Sequence, residues 1–61
     1  MTLEQLMSNA RADELGFYLH ILPSFRTLEC ELRNYGGKDT FVFKLDDKKI
    51  SRGVAEMLLA D

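Results

Sequence analysis

The sequence has one cysteine (Cys30), one histidine (His20), one proline (Pro23) and no tryptophan. A lone cysteine excludes an intramolecular disulfide, and with a single histidine it cannot supply the four ligands of a structural zinc site. Chains this short often rely on such devices, because a domain of about 60 residues buries only about 60% of the surface its unfolded chain exposes. The remaining support is a partner subunit. Long apolar runs are also missing. The longest, residues 16–23, is interrupted by His20 and falls well short of the ~20 residues a membrane-crossing helix needs. No basic-then-apolar leader precedes it. These absences predict a soluble chain that does not enter a membrane, with the cytoplasm as its default location.

A net charge of −2 supplies no global attraction to a polyanion. Residues 1–31 carry two basic and five acidic side chains, and residues 32–61 carry six and five, so any basic surface belongs to the second half. The apolar fraction of 46% and charged fraction of 30% are those of a globular chain and argue against disorder. With no repeat, linker or low-complexity segment, residues 1–61 are expected to form a single small α+β domain. A chain of this length starting at Met1 has the size of small gene products common in bacteria and phages.

Thr2 followed three residues later by Gln5 has the form of a capping box, and Leu3, Leu6, Met7 and Ala10 recur at helical spacing. A first helix is expected from about Thr2 to Leu15, stopped by Gly16. Residues 17–22 fit either a strand or a second helix. The strand is favoured, because Phe17, Leu19 and Ile21 alternate and the composition suits a strand. Leu28, Cys30 and Leu32 alternate with polar neighbours, Phe41, Phe43 and Leu45 alternate with Thr40, Val42 and Lys44, and Gly36-Gly37 between them suits a two-residue hairpin turn.

Closing that turn sets Leu32 opposite Phe41, Cys30 opposite Phe43 and Leu28 opposite Leu45, with Glu29 opposite Lys44 on the other face. Treating residues 22–25 as a four-residue loop then sets Leu19 opposite Leu28 and Phe17 opposite Cys30. Ser51 can cap a last helix whose apolar stripe is Ile50, Val54, Met57 and Leu58. The expected architecture is α-β-β-β-α: a three-stranded antiparallel sheet with both helices on one face. The alternative order is α-α-β-β-α.

Few residues suggest chemistry. Cys30, on the inward face of the middle strand, is expected to be buried and inert, with His20 on the opposite face of the sheet. Asp46 and Asp47 sit at a strand end beside Lys48 and Lys49 and look like turn formers. Gly36-Gly37 lacks any phosphate-loop or dinucleotide context. No catalytic, metal-binding or cofactor-binding set is expected, and the chain is not expected to be an enzyme.

Two features suggest binding to nucleic acid. Ala12-Asp13-Glu14-Leu15-Gly16-Phe17 resembles the turn of a helix-turn-helix such as that of small phage repressors of the Cro type, with Leu22 and Phe25 at apolar positions of the motif. Pro23 would then sit inside the recognition helix, and Leu19, His20 and Ile21 would replace the polar residues that read base edges. The second feature is the basic group Lys48, Lys49 and Arg52 at the start of the last helix.

The function expected from these residues is that of a small intracellular accessory or regulatory protein acting through protein contacts. The alternative is a small DNA-binding regulator. The expected contact surface is the open sheet face with Tyr18, His20 and Val42, or the back of the last helix with Ala55 and Leu59. Self-association as a dimer is expected, to cover the edge of the 39–45 strand and the leftover Tyr18, Leu22, Val42 and Leu59.

Overall fold

The computed structural model describes residues 1–60. In chain order the elements are α1 (Leu3–Ala12), β1 (Phe17–Ile21), β2 (Thr27–Tyr35), β3 (Lys38–Leu45), β4 (Lys48–Ile50) and α2 (Arg52–Leu59). The class is α+β, with the strands in one antiparallel sheet of order β1-β2-β3-β4. The sheet has four strands where three were expected, and residues 17–21 are strand, which removes the α-α-β-β-α alternative.

Helix α1 begins as the capping box requires: Gln5 N–H donates to Thr2 Oγ1 at 3.2 Å and Thr2 N–H donates to Gln5 Oε1 at 2.9 Å. It ends at Ala12, three residues short of the expected Leu15, because Asp13 diverts the chain. Asp13 is extended (φ −76°, ψ 139°), and its carboxylate accepts the N–H groups of Leu15 (2.9 Å) and Phe17 (3.2 Å). A side chain that satisfies local backbone donors competes with further helix. Gly16 follows at φ +68°, where an added Cβ would stand 3.1 Å from the Leu32 carbonyl oxygen. Only glycine meets both conditions without strain.

The β2–β3 hairpin has the expected register, including Leu32 opposite Phe41, Cys30 opposite Phe43, Leu28 opposite Leu45 and Glu29 opposite Lys44. Gly36 (φ 57°) and Gly37 (φ 87°) form its turn. The β1–β2 register differs by one residue from expectation: Tyr18 stands opposite Cys30 and His20 opposite Leu28, while Phe17 meets Glu31 and Leu19 meets Glu29. The turn explains the shift. Phe25 N–H donates to the Leu22 carbonyl at 2.8 Å, and Leu22 N–H donates to the Arg26 carbonyl at 2.9 Å, so the loop has three residues rather than four. Phe25 takes φ +66°, the left-handed residue that closes such a loop. A one-residue slip exchanges the faces of a strand. Phe17, Leu19 and Ile21 therefore turn away from the core, and Tyr18, His20 and Leu22 turn towards it.

The fourth strand arises at Asp46-Asp47, both at positive φ (49° and 70°), which make a two-residue turn and return Lys48–Ile50 along β3. Lys48 and Lys49 thus belong to a strand, and Ile50 stands opposite Phe43 rather than in the helix. Ser51 caps α2, accepting the Val54 N–H at 3.2 Å. The core joins Leu3, Leu6 and Ala10 of α1, Ala55 of α2, and Leu22, Leu28, Cys30, Phe43 and Leu45 of the sheet, with Leu58 and Leu59 packed against it. Val54 and Met57, expected in the inward stripe of the last helix, are exposed. At about 25 cal/mol per Å², so small a core has little surplus over the entropy of ordering the chain.

Candidate functional site

Cross-strand partners share a face, so the face opposite the helices can be followed row by row. One row is Phe17, Glu31 and Val42; the next is Leu19, Glu29, Lys44 and Lys49; a third is Ile21 and Thr27. The middle row passes from apolar to acidic to basic across the sheet. All three large apolar side chains of β1 lie on this face, with exposures of 37% for Phe17, 48% for Leu19 and 67% for Ile21. They form one stripe along an outer strand, beside Glu29 and Glu31. Phe25 in the adjoining loop is 89% exposed.

Backbone polarity follows from the same pairing. Leu32 N–H donates to the Gly16 carbonyl at 2.6 Å and Leu22 N–H to the Arg26 carbonyl at 2.9 Å. In an antiparallel ladder these two close pairs imply that Tyr18 and His20 also direct their backbone groups at β2, and that Phe17, Leu19 and Ile21 direct theirs outward. Asp13 already accepts the Phe17 N–H at 3.2 Å, so the outer edge of β1 offers the N–H groups of Leu19 and Ile21 and the C=O groups of Phe17, Leu19 and Ile21.

The residues expected to form the contact surface are placed differently. Tyr18 and His20 are half-buried on the helix-covered side. Tyr18 packs against the core, and His20 borders a cleft with Met1, Leu22, Pro23, Leu58 and Leu59. Val42 alone of that set lies on the open face, half-buried beside Glu31. Ala55 is fully buried, and Leu59 packs against the core, so neither forms an outer surface of α2. The register shift accounts for the first two; for Ala55 and Leu59 the cause is that α2, capped by Ser51 as expected, turns Ala55, Leu58 and Leu59 inward rather than Val54 and Met57. Of the apolar residues expected to be left over, Leu22 is buried, and Tyr18 and Leu59 pack on the core. The uncovered set is Phe17, Leu19 and Ile21. The alternation that marks them as a strand was visible in the sequence. Their outward direction depends on a phenylalanine in a glycine-like conformation, which no sequence rule suggests.

Cys30 is fully buried, and desolvation pushes its thiol up to about 11, so it stays protonated near neutrality. It lies on the same side of the sheet as His20, not the opposite side as expected. Residues 12–25 contain a helix end, a strand and a loop, so the helix-turn-helix reading of that segment fails. The basic group is divided: Lys48 shares the side of Leu45 and Lys49 the side of Lys44, and Arg52 opens α2. Lys49 and Arg52 border a cleft beside Met7, Phe41 and Ile50. No helix among the described residues is long and apolar enough to cross a membrane, and no three of their His, Cys, Asp and Glu side chains converge as a metal site would need.

The class defined by this geometry is an α+β fold: a four-stranded antiparallel meander with two helices and an apolar outer strand. Comparisons with protein-family models, curated proteins and solved structures found no match.

Proposed function

We propose that this chain is a small accessory or regulatory protein that works by binding protein, through the outer strand β1 and the open sheet face beside it. The observation that carries this reading is the stripe of Phe17, Leu19 and Ile21, exposed on the face away from the helices and on a strand with a free edge. Exposed apolar residues scattered singly need no explanation, but three in register on one strand form a contact surface. The free edge adds backbone donors and acceptors that an extended segment of a partner can pair with, as in strand addition to a sheet edge.

The conformation of Phe25 supports the same reading. A phenylalanine at φ +66° costs about 1–2 kcal/mol relative to a right-handed conformation, and its ring, 89% exposed, recovers little of that by packing. Strain held by an exposed aromatic at the end of the β1–β2 hairpin is consistent with a ring used in contact with another molecule.

The test is affinity capture from the native host with the unaltered chain, with an Ile21→Lys variant, and after nuclease treatment. A protein retained by the unaltered chain, lost with Ile21→Lys and insensitive to nuclease supports the reading. Retention unaffected by Ile21→Lys overturns the assignment to this face. Retention abolished by nuclease supports instead a nucleic-acid contact through Lys49 and Arg52.

A further inference from the structure

The two outer edges of the sheet differ in kind. On one side β4 is three residues long and carries Lys48 and Lys49, the short, charged edge by which native sheets discourage pairing with other chains. On the other side β1, Phe-Tyr-Leu-His-Ile, contains no lysine, arginine, carboxylate or proline, and only its first N–H, that of Phe17, is taken, by Asp13. We propose that a second copy of this chain occupies that edge, β1 pairing antiparallel with its counterpart about a two-fold axis at Leu19. The proposal rests on the reading of β1 as a protein-binding strand and names its occupant.

The register is set by the strand itself. Outward-directed residues must meet outward-directed residues for the ladder to form, which admits only pairings among Phe17, Leu19 and Ile21. Centred on Leu19, Phe17 meets Ile21 of the second copy, Leu19 meets Leu19, and Ile21 meets Phe17. The pairs that make the hydrogen bonds therefore also join the two apolar stripes on the open face. Tyr18 meets His20 on the helix side. Sliding by one step of the ladder one way places Phe17 opposite Pro23, which has no N–H to give. Sliding the other way pushes Ile21 opposite Leu15, on the far side of the Gly16 turn. Only the centred register sets all three apolar residues of one stripe against those of the other; it makes the bonds of Leu19 and Ile21 N–H while Asp13 keeps the Phe17 N–H, and it is self-complementary, as a two-fold contact requires.

The carboxylates of β2 do not oppose the pairing. Glu29 and Glu31 lie on β2, so their counterparts in the second copy are three strand spacings away, about 14 Å at about 4.8 Å each and beyond the physiological screening length of about 8 Å. The contact is small. A five-residue strand added edge to edge belongs with interfaces below about 1,200 Å² in total, the range of weak and transient pairs. The proposed dimer is one with a dissociation constant between about 1 μM and about 1 mM.

Sedimentation equilibrium across a concentration series, with circular dichroism as a check on folding, tests this. The unaltered chain is expected to rise from 7.0 kDa towards twice that mass. Leu19→Lys and Leu19→Glu, each placing like charges face to face at the axis, are expected to remain at monomer mass with unchanged spectra. An equimolar mixture of the two is expected to regain dimer, because residue 19 then meets its opposite charge. A constant 7.0 kDa for the unaltered chain up to about 1 mM overturns the proposal. So does a dimer that both variants leave intact, or a mixture that stays monomeric although the unaltered chain associates. If the chain is monomeric yet captures a foreign protein that Ile21→Lys releases, the second-copy assignment falls and the protein-binding reading stands; if it does neither, both fall.

Discussion

Asp46 and Thr27 hold each other by two hydrogen bonds: Thr27 N–H donates to Asp46 Oδ1 at 3.1 Å, and Asp46 N–H donates to the Thr27 carbonyl at 3.0 Å. Asp46 Oδ2 also accepts from Arg26 Nε at 2.8 Å. One turn residue thus ties the start of β2 to the β3–β4 hairpin.

That arrangement predicts an acid response. The Arg26 hydrogen bond, followed by that of the Thr27 N–H, holds the Asp46 carboxyl below the ordinary carboxylate value. A carboxyl whose folded-state value is depressed contributes stability that is present above its unfolded value of about 3.9 and lost as pH falls through the folded value. Asparagine keeps one acceptor oxygen for the Thr27 N–H and tolerates φ +49°, so Asp46→Asn preserves the turn while removing the charge and the acceptor of the Arg26 Nε–H. The expected outcome is a shallower loss of thermal midpoint below about pH 4 in Asp46→Asn than in the unaltered chain. Parallel acid limbs would show that the depressed carboxyl contributes nothing.

A second expectation concerns Phe25. Phe25→Gly removes the cost of a side chain at φ +66°, about 1–2 kcal/mol, while glycine returns about 0.4–1 kcal/mol through the entropy of the unfolded chain. The net gain is centred on about 0.8 kcal/mol, or a rise of about 3–6 °C in thermal midpoint for so small a domain. A lowered midpoint in a concentration series extrapolated to the monomer would show that the ring packs within its own chain.

Cys30 sits at the centre of the sheet with no exposed surface. Cys30→Ser introduces a hydroxyl with no assured partner among Leu28, Phe43 and the helices, at an expected cost of about 1–3 kcal/mol in denaturant unfolding. Because burial raises the folded thiol to about 11, the stabilising protonated form is fully favoured below the unfolded value of about 8.5 and lost as pH rises towards the folded one. Thiol labelling near neutral pH should therefore be no faster than opening of the fold. Labelling at the rate of a free peptide thiol would contradict the burial.

How far these features were legible in the sequence depended on how local their cause was. The capping box at Thr2 and Gln5 and the Gly36-Gly37 turn act within a few residues, and the apolar pairs of β2 and β3 follow once the turn is fixed. The β1 register depended on whether the loop had three residues or four, which turned on Phe25 adopting φ +66°. The end of α1 turned on Asp13 accepting two backbone N–H groups, a choice composition does not report. Strand β4 was hidden because Asp46 and Asp47 form the left-handed pair of a tight turn without a glycine, and Ile50 fits a helical stripe as well as a strand. The apolar stripe of the candidate site was therefore visible as a set of residues, but not as a surface.

The chain-order arrangement of the sheet also governs how the molecule assembles itself. Each strand pairs only with its neighbour in sequence, across loops of a few residues, so little loop-closure entropy stands in the way of any pairing. Hairpins of this kind close in about 1–10 μs. Packing of α1 against α2 is what brings the two ends of the chain together. The contact between the two helices joins the elements farthest apart in sequence, so among the described contacts it closes the longest stretch of chain.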